Sequence, residues 1–458
     1  MQPGIASDTI VAISTPPGEG GIGIVRLSGS DAIAMVARRF RSSRGRDILA
    51  GRGRVFHGHI VGVDGELLDE ALVHLMRAPH SYTREDVAEI NCHGGAGPLN
   101  AVLEAMLAEG ARLAGPGEFT QRAFLNGRID LVQAEAVIDR IRARTKAGLR
   151  AASAAASGTL SRALHEMADV LTGALAHIEA AVDFPDEDLP DLVNDALRAR
   201  LETVRDRMRA LLDSAEAGRL YREGASVAIV GRPNVGKSSL FNALVRDARA
   251  IVTAQPGTTR DRIEEFITIA GVPVRLIDTA GLRDARDEVE RRGVEIAREA
   301  IATADAVLFV VDATEPGHEE DGQIAATLDS GETAILLVQN KADLAPDAPL
   351  PPWSSSKTCA VSAKTGLGLS QLETALGELL LGDRSIAPEQ GMLTRLHQRD
   401  SLRRAETALS QLLSHYEASP EFLSVDLRDA LNALGEITGE TTPEDILERI
   451  FASFCIGK

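Results

Sequence analysis

The chain has 458 residues, 44% of them hydrophobic and 25% charged, a length that predicts about three domains of ordinary size, each with its own core. A formal net charge of −18 argues against an autonomous nucleic-acid binder. Cys92, Cys359 and Cys455 form no C-x-x-C pair, which argues against a zinc site or disulfide framework and fits a reducing cytosol. The first residues lack a basic stretch followed by an apolar one, and no apolar run approaches the ~20 residues that cross a bilayer, so a soluble, cytoplasmic protein with no membrane partner is expected.

At the start, Thr9–Ile13, Gly23–Leu27 and Val87–Asn91 read as strands, while Ser30–Phe40 and Pro98–Glu109 read as helices. Residues 1–127 are therefore expected to form an α+β domain. Its Gly- and Pro-rich stretches (Pro16-Pro17-Gly18, His93-Gly94-Gly95, Pro116-Gly117-Glu118-Phe119) mark tight turns. Seven arginines between Arg38 and Arg54, and the basic stretch Arg395–Arg404, read as solvated faces.

Residues 128–222 form a helical tract in which Leu160, Leu164, Met167, Leu171, Leu175 and Ile178 trace one apolar stripe. Asp183-Phe184-Pro185-Asp186-Glu187-Asp188-Leu189-Pro190 breaks it, because two prolines cannot continue a helix. A second tract, within 382–458, carries Leu393, Leu396, Leu402, Leu427, Leu431 and Leu434. Between the two, residues 223–381 read as an inserted α/β domain. Domain termini usually lie close together, so the flanking tracts can pack as one discontinuous helical domain.

The insertion carries its chemistry in order. After the apolar run Val227-Ala228-Ile229-Val230 comes Gly231-Arg232-Pro233-Asn234-Val235-Gly236-Lys237-Ser238, a G-x-x-x-x-G-K-S phosphate loop. Its backbone N–H groups and the helix that follows face an anion, Lys237 reaches the β/γ-phosphates and the Ser238 hydroxyl ligates Mg²⁺. In Gly257-Thr258-Thr259-Arg260-Asp261 a threonine hydroxyl can complete the magnesium shell. In Asp278-Thr279-Ala280-Gly281 the carboxylate suits a water-mediated contact to the ion, and Gly281 N–H can meet the γ-phosphate. Asn340-Lys341-Ala342-Asp343 places a carboxylate for the N1–H and exocyclic amine of guanine. Adenine lacks that donor pair and would leave the carboxylate unpaired, a loss on the order of a few kcal/mol. Ser362-Ala363-Lys364 can offer N–H groups to the guanine O6. Five ordered motifs at strand–loop junctions imply GTP rather than a chance turn.

The residue that orients water is not identified by these motifs. After Asp-x-x-Gly many small GTPases carry glutamine, and here Leu282 stands there. The run Arg283-Asp284-Ala285-Arg286-Asp287-Glu288-Val289-Glu290 supplies candidates, and Arg260, Arg283 and Arg286 are all conceivable arginine fingers. A run of this kind also fits a solvated helix start. The terminal Phe454-Cys455-Ile456-Gly457-Lys458 is not a prenylation box, because Gly457 is not aliphatic and Lys458 is not an accepted last residue.

Over its whole length the chain resembles the bacterial MnmE (TrmE) family of tRNA modification GTPases, among the TrmE-Era-EngA-like relatives of Ras. The resemblance rests on Ile13-Ser14-Thr15-Pro16-Pro17-Gly18, His93-Gly94-Gly95, Pro116-Gly117-Glu118-Phe119, Asp183-Phe184-Pro185-Asp186-Glu187 and the terminal Phe-Cys-Ile-Gly-Lys. Arg128 stands where the family often has lysine, which keeps the charge but not the ammonium geometry. The resemblance implies that 1–127 binds tetrahydrofolate and dimerises, with Arg26, Glu89, Arg128 and Lys458 contacting 5-formyltetrahydrofolate or another reduced folate. It extends the GTP contacts over Asn234, Val235, Gly236, Lys237, Ser238 and Ser239. They run on through Thr253, Ala254, Gln255, Pro256, Gly257, Thr258 and Thr259, with Asp278 to Gly281 and the two base motifs. Magnesium would take Ser238 and Thr259. Potassium would take Asn234, Thr253, Gln255 and Thr258 and replace the arginine finger, with Glu290 orienting water. It further implies a homodimer that joins the FAD-dependent MnmG in a heterotetramer. Together they would add a carboxymethylaminomethyl or aminomethyl group to C5 of the wobble uridine of certain tRNAs. Two other readings are a ribosome-assembly GTPase, which would normally add a basic RNA-binding face, and a folate-dependent one-carbon transferase regulated by GTP.

Overall fold

Alternation of inward apolar and outward polar residues builds the first sheet. Along Leu67–Met76, Ala71, Val73 and Leu75 are buried while Glu70 and Leu72 are exposed. The strands are β1 (Ile10–Ile13), β2 (Gly20–Ser28), β3 (Phe40–Ser42), β4 (Val55–Val61), β5 (Leu67–Met76), β6 (Val87–Gly94) and β7 (Arg112–Leu113). They lie in the order β3-β4-β5-β6-β2-β1-β7. All neighbours are antiparallel except β1 and β7. Helices α1 (Ala32–Arg39) and α2 (Ala96–Ala108) cover one face, where Val36, Val102 and Met106 meet Val25, Leu27, Val73 and Ile90. The structure is a computed structural model and describes residues 8–50, 54–183, 194–247, 266–278, 303–328, 333–352, 357–382, 389, 391–417 and 419–457.

By packing, the chain divides into two units, Met1–Ile138 with Asn432–Lys458, and Asp139–Leu431. The expected second helical part, 382–458, is thus shared between them. In the first unit, Leu131, Ala134 and Ile138 close a small core with Phe451 and Phe454, beside Phe124 of α3 (Glu118–Leu125). The tail then runs on to α3, where Gly117 N donates to Cys455 O at 3.2 Å and Pro116 bridges Ile456.

The chain continues through α4 (Leu131–Arg142) into the second unit, with α5 (Lys146–Ala156), α6 (Thr159–Asp183) and α7 (Asp195–Glu223). Thr145 and Asn194 cap α5 and α7 by accepting from Gly148 N and Leu197 N, each at 3.0 Å. The α6 stripe is Leu160, Leu164, Met167, Leu171, Ala174 and Ile178, all buried. Leu175, expected in the stripe, is half-buried, because alternating steps of four and three follow the 3.5-residue seam that brings Ala174 inward. Past the insertion, Leu402, Leu427 and Leu434 are buried as expected. Leu396, expected in the apolar face, is 62% exposed at the first position of the helix Leu396–Ser414. Leu393, also expected there, is fully buried, and its carbonyl oxygen would stand 1.9 Å from a Cβ on Gly218 of α7. That approach, with an Arg209–Glu406 ion pair at 2.7 Å, lays the two tracts that flank the insertion against each other.

The insertion is a six-stranded sheet of β8 (Ala225–Val230), β9 (Phe266–Ile269), β10 (Val272–Asp278), β11 (Ala306–Asp312), β12 (Ala334–Asn340) and β13 (Lys357–Ala360). Its order is β13-β12-β11-β8-β10-β9, parallel apart from the β9–β10 hairpin. Strand β11 is buried at every position, as a central parallel strand covered on both faces must be. The loops at the carboxyl ends of β8, β11 and β12 therefore open on one edge, where open α/β sheets bind ligands.

Candidate functional site

At that edge, β8 runs into the phosphate loop and α8 (Lys237–Asp247). The loop is wired to the base motif rather than merely near it. Asn340, 2% exposed, donates from Nδ2 to Val235 O at 2.8 Å and accepts from Ala363 N at 3.0 Å through Oδ1. One amide thus joins the phosphate loop, the Asn340-Lys341-Ala342-Asp343 turn and the Ser362-Ala363-Lys364 turn. Gly236, at φ +98°, is fixed as glycine by the same residue, since a Cβ there would lie 2.2 Å from Asn340 Nδ2. Removing the Asn340 side chain would take the donor from the buried Val235 carbonyl, a loss of about 1–3 kcal/mol.

Lys237 is nearly buried, and its Nζ donates to Gly231 O at 2.7 Å and Arg232 O at 2.8 Å. These carbonyls hold the ammonium within the loop. Lys341 pairs with Asp312 Oδ2 at 2.5 Å, while Asp312 Oδ1 accepts from Thr314 N and Oγ1 at 2.9 and 2.7 Å. Burial pushes the Asp312 carboxyl up, but the Lys341 and Thr314 hydrogen bonds outweigh it and hold the group below its ordinary value. Asp343 is exposed at the turn, Ser362 is fully buried, and Asn234 (φ +65°), Ser238 and Ser239 are exposed along the loop and the start of α8. The arrangement offers backbone N–H groups and a fixed ammonium to a polyphosphate, and a carboxylate to a base.

Several expected residues lie outside the described ones: Thr253, Ala254, Gln255, Pro256, Gly257, Thr258, Thr259, Thr279, Ala280, Gly281, Glu290 and Lys458; Asp278 ends β10. No group of three or more His, Cys, Asp or Glu side chains among the described residues could hold a metal ion. The expected Mg²⁺ and K⁺ sites draw instead on hydroxyl, amide and carbonyl oxygens, which suit hard cations.

A second constellation occupies the first unit. Arg26 and Glu89 face each other across β2 and β6 and pair at 2.8 Å. Arg26 Nη1 also donates to Gly457 O at 3.0 Å, and Ser14 Oγ donates to the same carbonyl at 3.2 Å. Arg128 stacks over the Tyr82 ring at 4.7 Å and donates to Tyr82 O at 2.9 Å. Burial pushes the Tyr82 hydroxyl up, against a hydrogen bond with Thr120 and the fields of Arg128 and Arg26. Arg26, paired with Glu89, thus meets the tail, while Arg128 is held at Tyr82, whose hydroxyl lies in the field of both guanidinium groups. Cys92 is a different matter, its thiol pushed up to about 11 chiefly by burial, and Cys455 is exposed.

The sequence motifs missed Asp312, Arg232 and Asp321, although Asp312 closes an apolar strand where a loop residue at the ligand edge would be sought.

Family models match the chain along almost all of it: "GTP-binding protein TrmE N-terminus" at residues 9–128 and "MnmE helical domain" at 131–455. The chain is 50% identical over 463 residues to a tRNA modification GTPase MnmE of Chloroflexus aurantiacus, covering 99% of this chain and all of that one. The corresponding protein of Heliobacterium modesticaldum is 47% identical over 468 residues, with 99% and 100% covered. That of Geobacter sulfurreducens is 48% identical over 457 residues, with 98% and 99% covered. This chain belongs to the MnmE family of tRNA modification GTPases. The chain is thus a GTPase, and no helix among the described residues is long and apolar enough to cross a membrane.

Proposed function

We propose that this MnmE-family chain hydrolyses GTP to drive modification of the wobble uridine of certain tRNAs. In this reading it acts as a homodimer with the FAD-dependent MnmG in a heterotetramer. The product carries a carboxymethylaminomethyl or aminomethyl group on C5. GTP is the substrate, with Mg²⁺ on Ser238 and Thr259. Potassium on Asn234, Thr253, Gln255 and Thr258 supplies the positive charge of an absent arginine finger. Glu290 orients the attacking water. A reduced folate takes Arg26, Glu89, Arg128 and Lys458.

The observation that carries the reading is the Gly457 carbonyl on the Arg26 guanidinium, beside Glu89. A GTPase needs none of this, whereas a folate offers a carboxylate for arginine and pterin N–H groups for a glutamate. The chemistry of the donor set fits that ligand. When bound, the folate would supply a one-carbon unit or a structural wedge. The chain's own part is to orient it between a paired acid and base and the tail. An RNA-binding GTPase of ribosome assembly would have no use for such a donor set.

Mass spectrometry of wobble uridines tests the reading. Cells that lack the protein are expected to lose the C5 adduct, and wild-type protein to restore it. A variant with Cys455 to Lys458 deleted is expected to keep GTP affinity and fail to restore the adduct. Normal wobble uridines in the deletion strain would overturn the proposal.

A further inference from the structure

The nucleotide motifs leave Asp321 without a role. It lies in the first turn of the helix Glu319–Leu328 and is 1% exposed. Its Oδ1 is buried with no hydrogen-bond partner among the described residues. Its Oδ2 stands 3.3 Å from Nε of Arg232, the second residue of the phosphate loop. Through Nη2, on the same edge, Arg232 also meets Glu315, so two carboxylates hold a guanidinium that is itself only 12% exposed. Burial pushes the Asp321 carboxyl above its ordinary value despite the Arg232 charge.

Stability does not account for this arrangement. A buried ion pair is weak evidence for stability, and well-packed apolar residues of similar volume often serve as well or better. A carboxylate left half-satisfied is worse still. What the pair does achieve is geometric. The carbonyl of Arg232 accepts from Lys237 Nζ at 2.8 Å, so the residue that Asp321 holds is the one that holds the phosphate-binding ammonium. Asp312, the last residue of β11, fixes Lys341 in the base motif at 2.5 Å.

We propose that Asp321 is a positioning residue for GTP hydrolysis, fixing Arg232 and through its carbonyl the Lys237 ammonium against the β- and γ-phosphates. This rests on the GTPase reading above. Lys237 bridges the two outer phosphates, so its displacement weakens a triphosphate more than a diphosphate.

The test uses the full-length protein with fluorescent GDP and a fluorescent non-hydrolysable GTP analogue, together with the melting temperature and steady-state kcat and KM. In Asp321→Leu the ratio of triphosphate to diphosphate affinity is expected to fall about five- to tenfold, with kcat/KM falling at least as far. Arg232→Met removes the other partner and is expected to give the same fall. The double variant, which leaves no buried unpaired charge, should be no worse than either single one, because coupled residues are not additive. Glu320→Gln, on the exposed face of the same turn, should match wild type. An unchanged ratio in Asp321→Leu or Arg232→Met, equal weakening of both nucleotides, or losses that add in the double variant would overturn the positioning role. Wild-type protein that fails to bind GTP would instead overturn the GTPase reading.

Discussion

Gly457→Ala tests whether the tail builds the folate site. Gly457 sits at φ +87°, a left-handed conformation that costs an ordinary residue about 1–2 kcal/mol. A Cβ there would lie 2.6 Å from Ile13 O and 2.9 Å from Ser14 Cα, both backbone atoms that cannot swing aside. The docked carbonyl contributes a charge-assisted hydrogen bond from Arg26, about 1.5–3 kcal/mol, and one from the Ser14 hydroxyl, about 1 kcal/mol. The tail is expected to undock rather than bear the strain. The ligand then loses roughly 2–3 kcal/mol, a fall of roughly 30- to 150-fold in affinity. Isothermal titration with 5-formyltetrahydrofolate measures it. GTP affinity should not change, because the phosphate loop belongs to the other packing unit. Cys455→Ser, which keeps the backbone path, should bind folate like wild type. Unchanged folate affinity in Gly457→Ala, or an equal loss for GTP, would refute the reasoning.

Replacing K⁺ by Na⁺, a smaller ion, should slow hydrolysis by orders of magnitude, and Asn234→Ala should do the same in K⁺; equal turnover in both salts rejects the potassium site. Glu290→Ala should bind GTP normally and lose turnover, since only transition-state positioning is removed; retained turnover in a single-turnover assay redirects the search to Asp287 or Glu288. Acid should weaken the first unit through Asp8 and Glu118. Hydrogen bonds from Arg112 hold the Asp8 carboxyl low; burial raises Glu118, but bonds from Arg112, Gly115 N and Arg122 bring it below its ordinary value. Folded values below unfolded ones stabilise at neutral pH, and that contribution disappears as pH falls through the folded values, below the ordinary carboxylate range. Glu118→Gln should therefore be less stable than wild type at pH 7 and converge with it in acid; a constant gap from pH 7 to acid refutes the network.

The nucleotide edge was legible because its motifs demand unusual backbone at fixed spacing. Gly231 and Gly236 take the positive φ that such a loop asks of glycine, Asn340 ends β12 and Ser362 follows β13. The role of Asn340 as a tie between three loops was not legible, since its partners are the Val235 and Ala363 backbone and carry no sequence signal. In the first sheet, β1, β2 and β6 were read from apolar runs, but β4 and β5 were passed over. Their alternation is interrupted by exposed Val55, Leu67 and Leu72, so the apolar signal falls on both faces. Leu396 misled for the opposite reason, being apolar at helical spacing yet exposed at a helix start. Asp321 left no trace at all, because an acid in a first helical turn is what helix dipoles favour anyway.

Arg26 and Gly457 are 431 positions apart in the chain. At ~5–20 residues per second of synthesis, an emerging chain waits on the order of a minute between making the guanidinium and making the carbonyl that meets it. The whole of Asp139–Leu431 is produced in that interval and can close on itself first. Meanwhile Leu131, Ala134 and Ile138 stand without Phe451 and Phe454. The unit that starts the chain is therefore the last to be finished. During translation its half-built core, rather than the nucleotide domain, is the natural client for a chaperone and the first target for a protease.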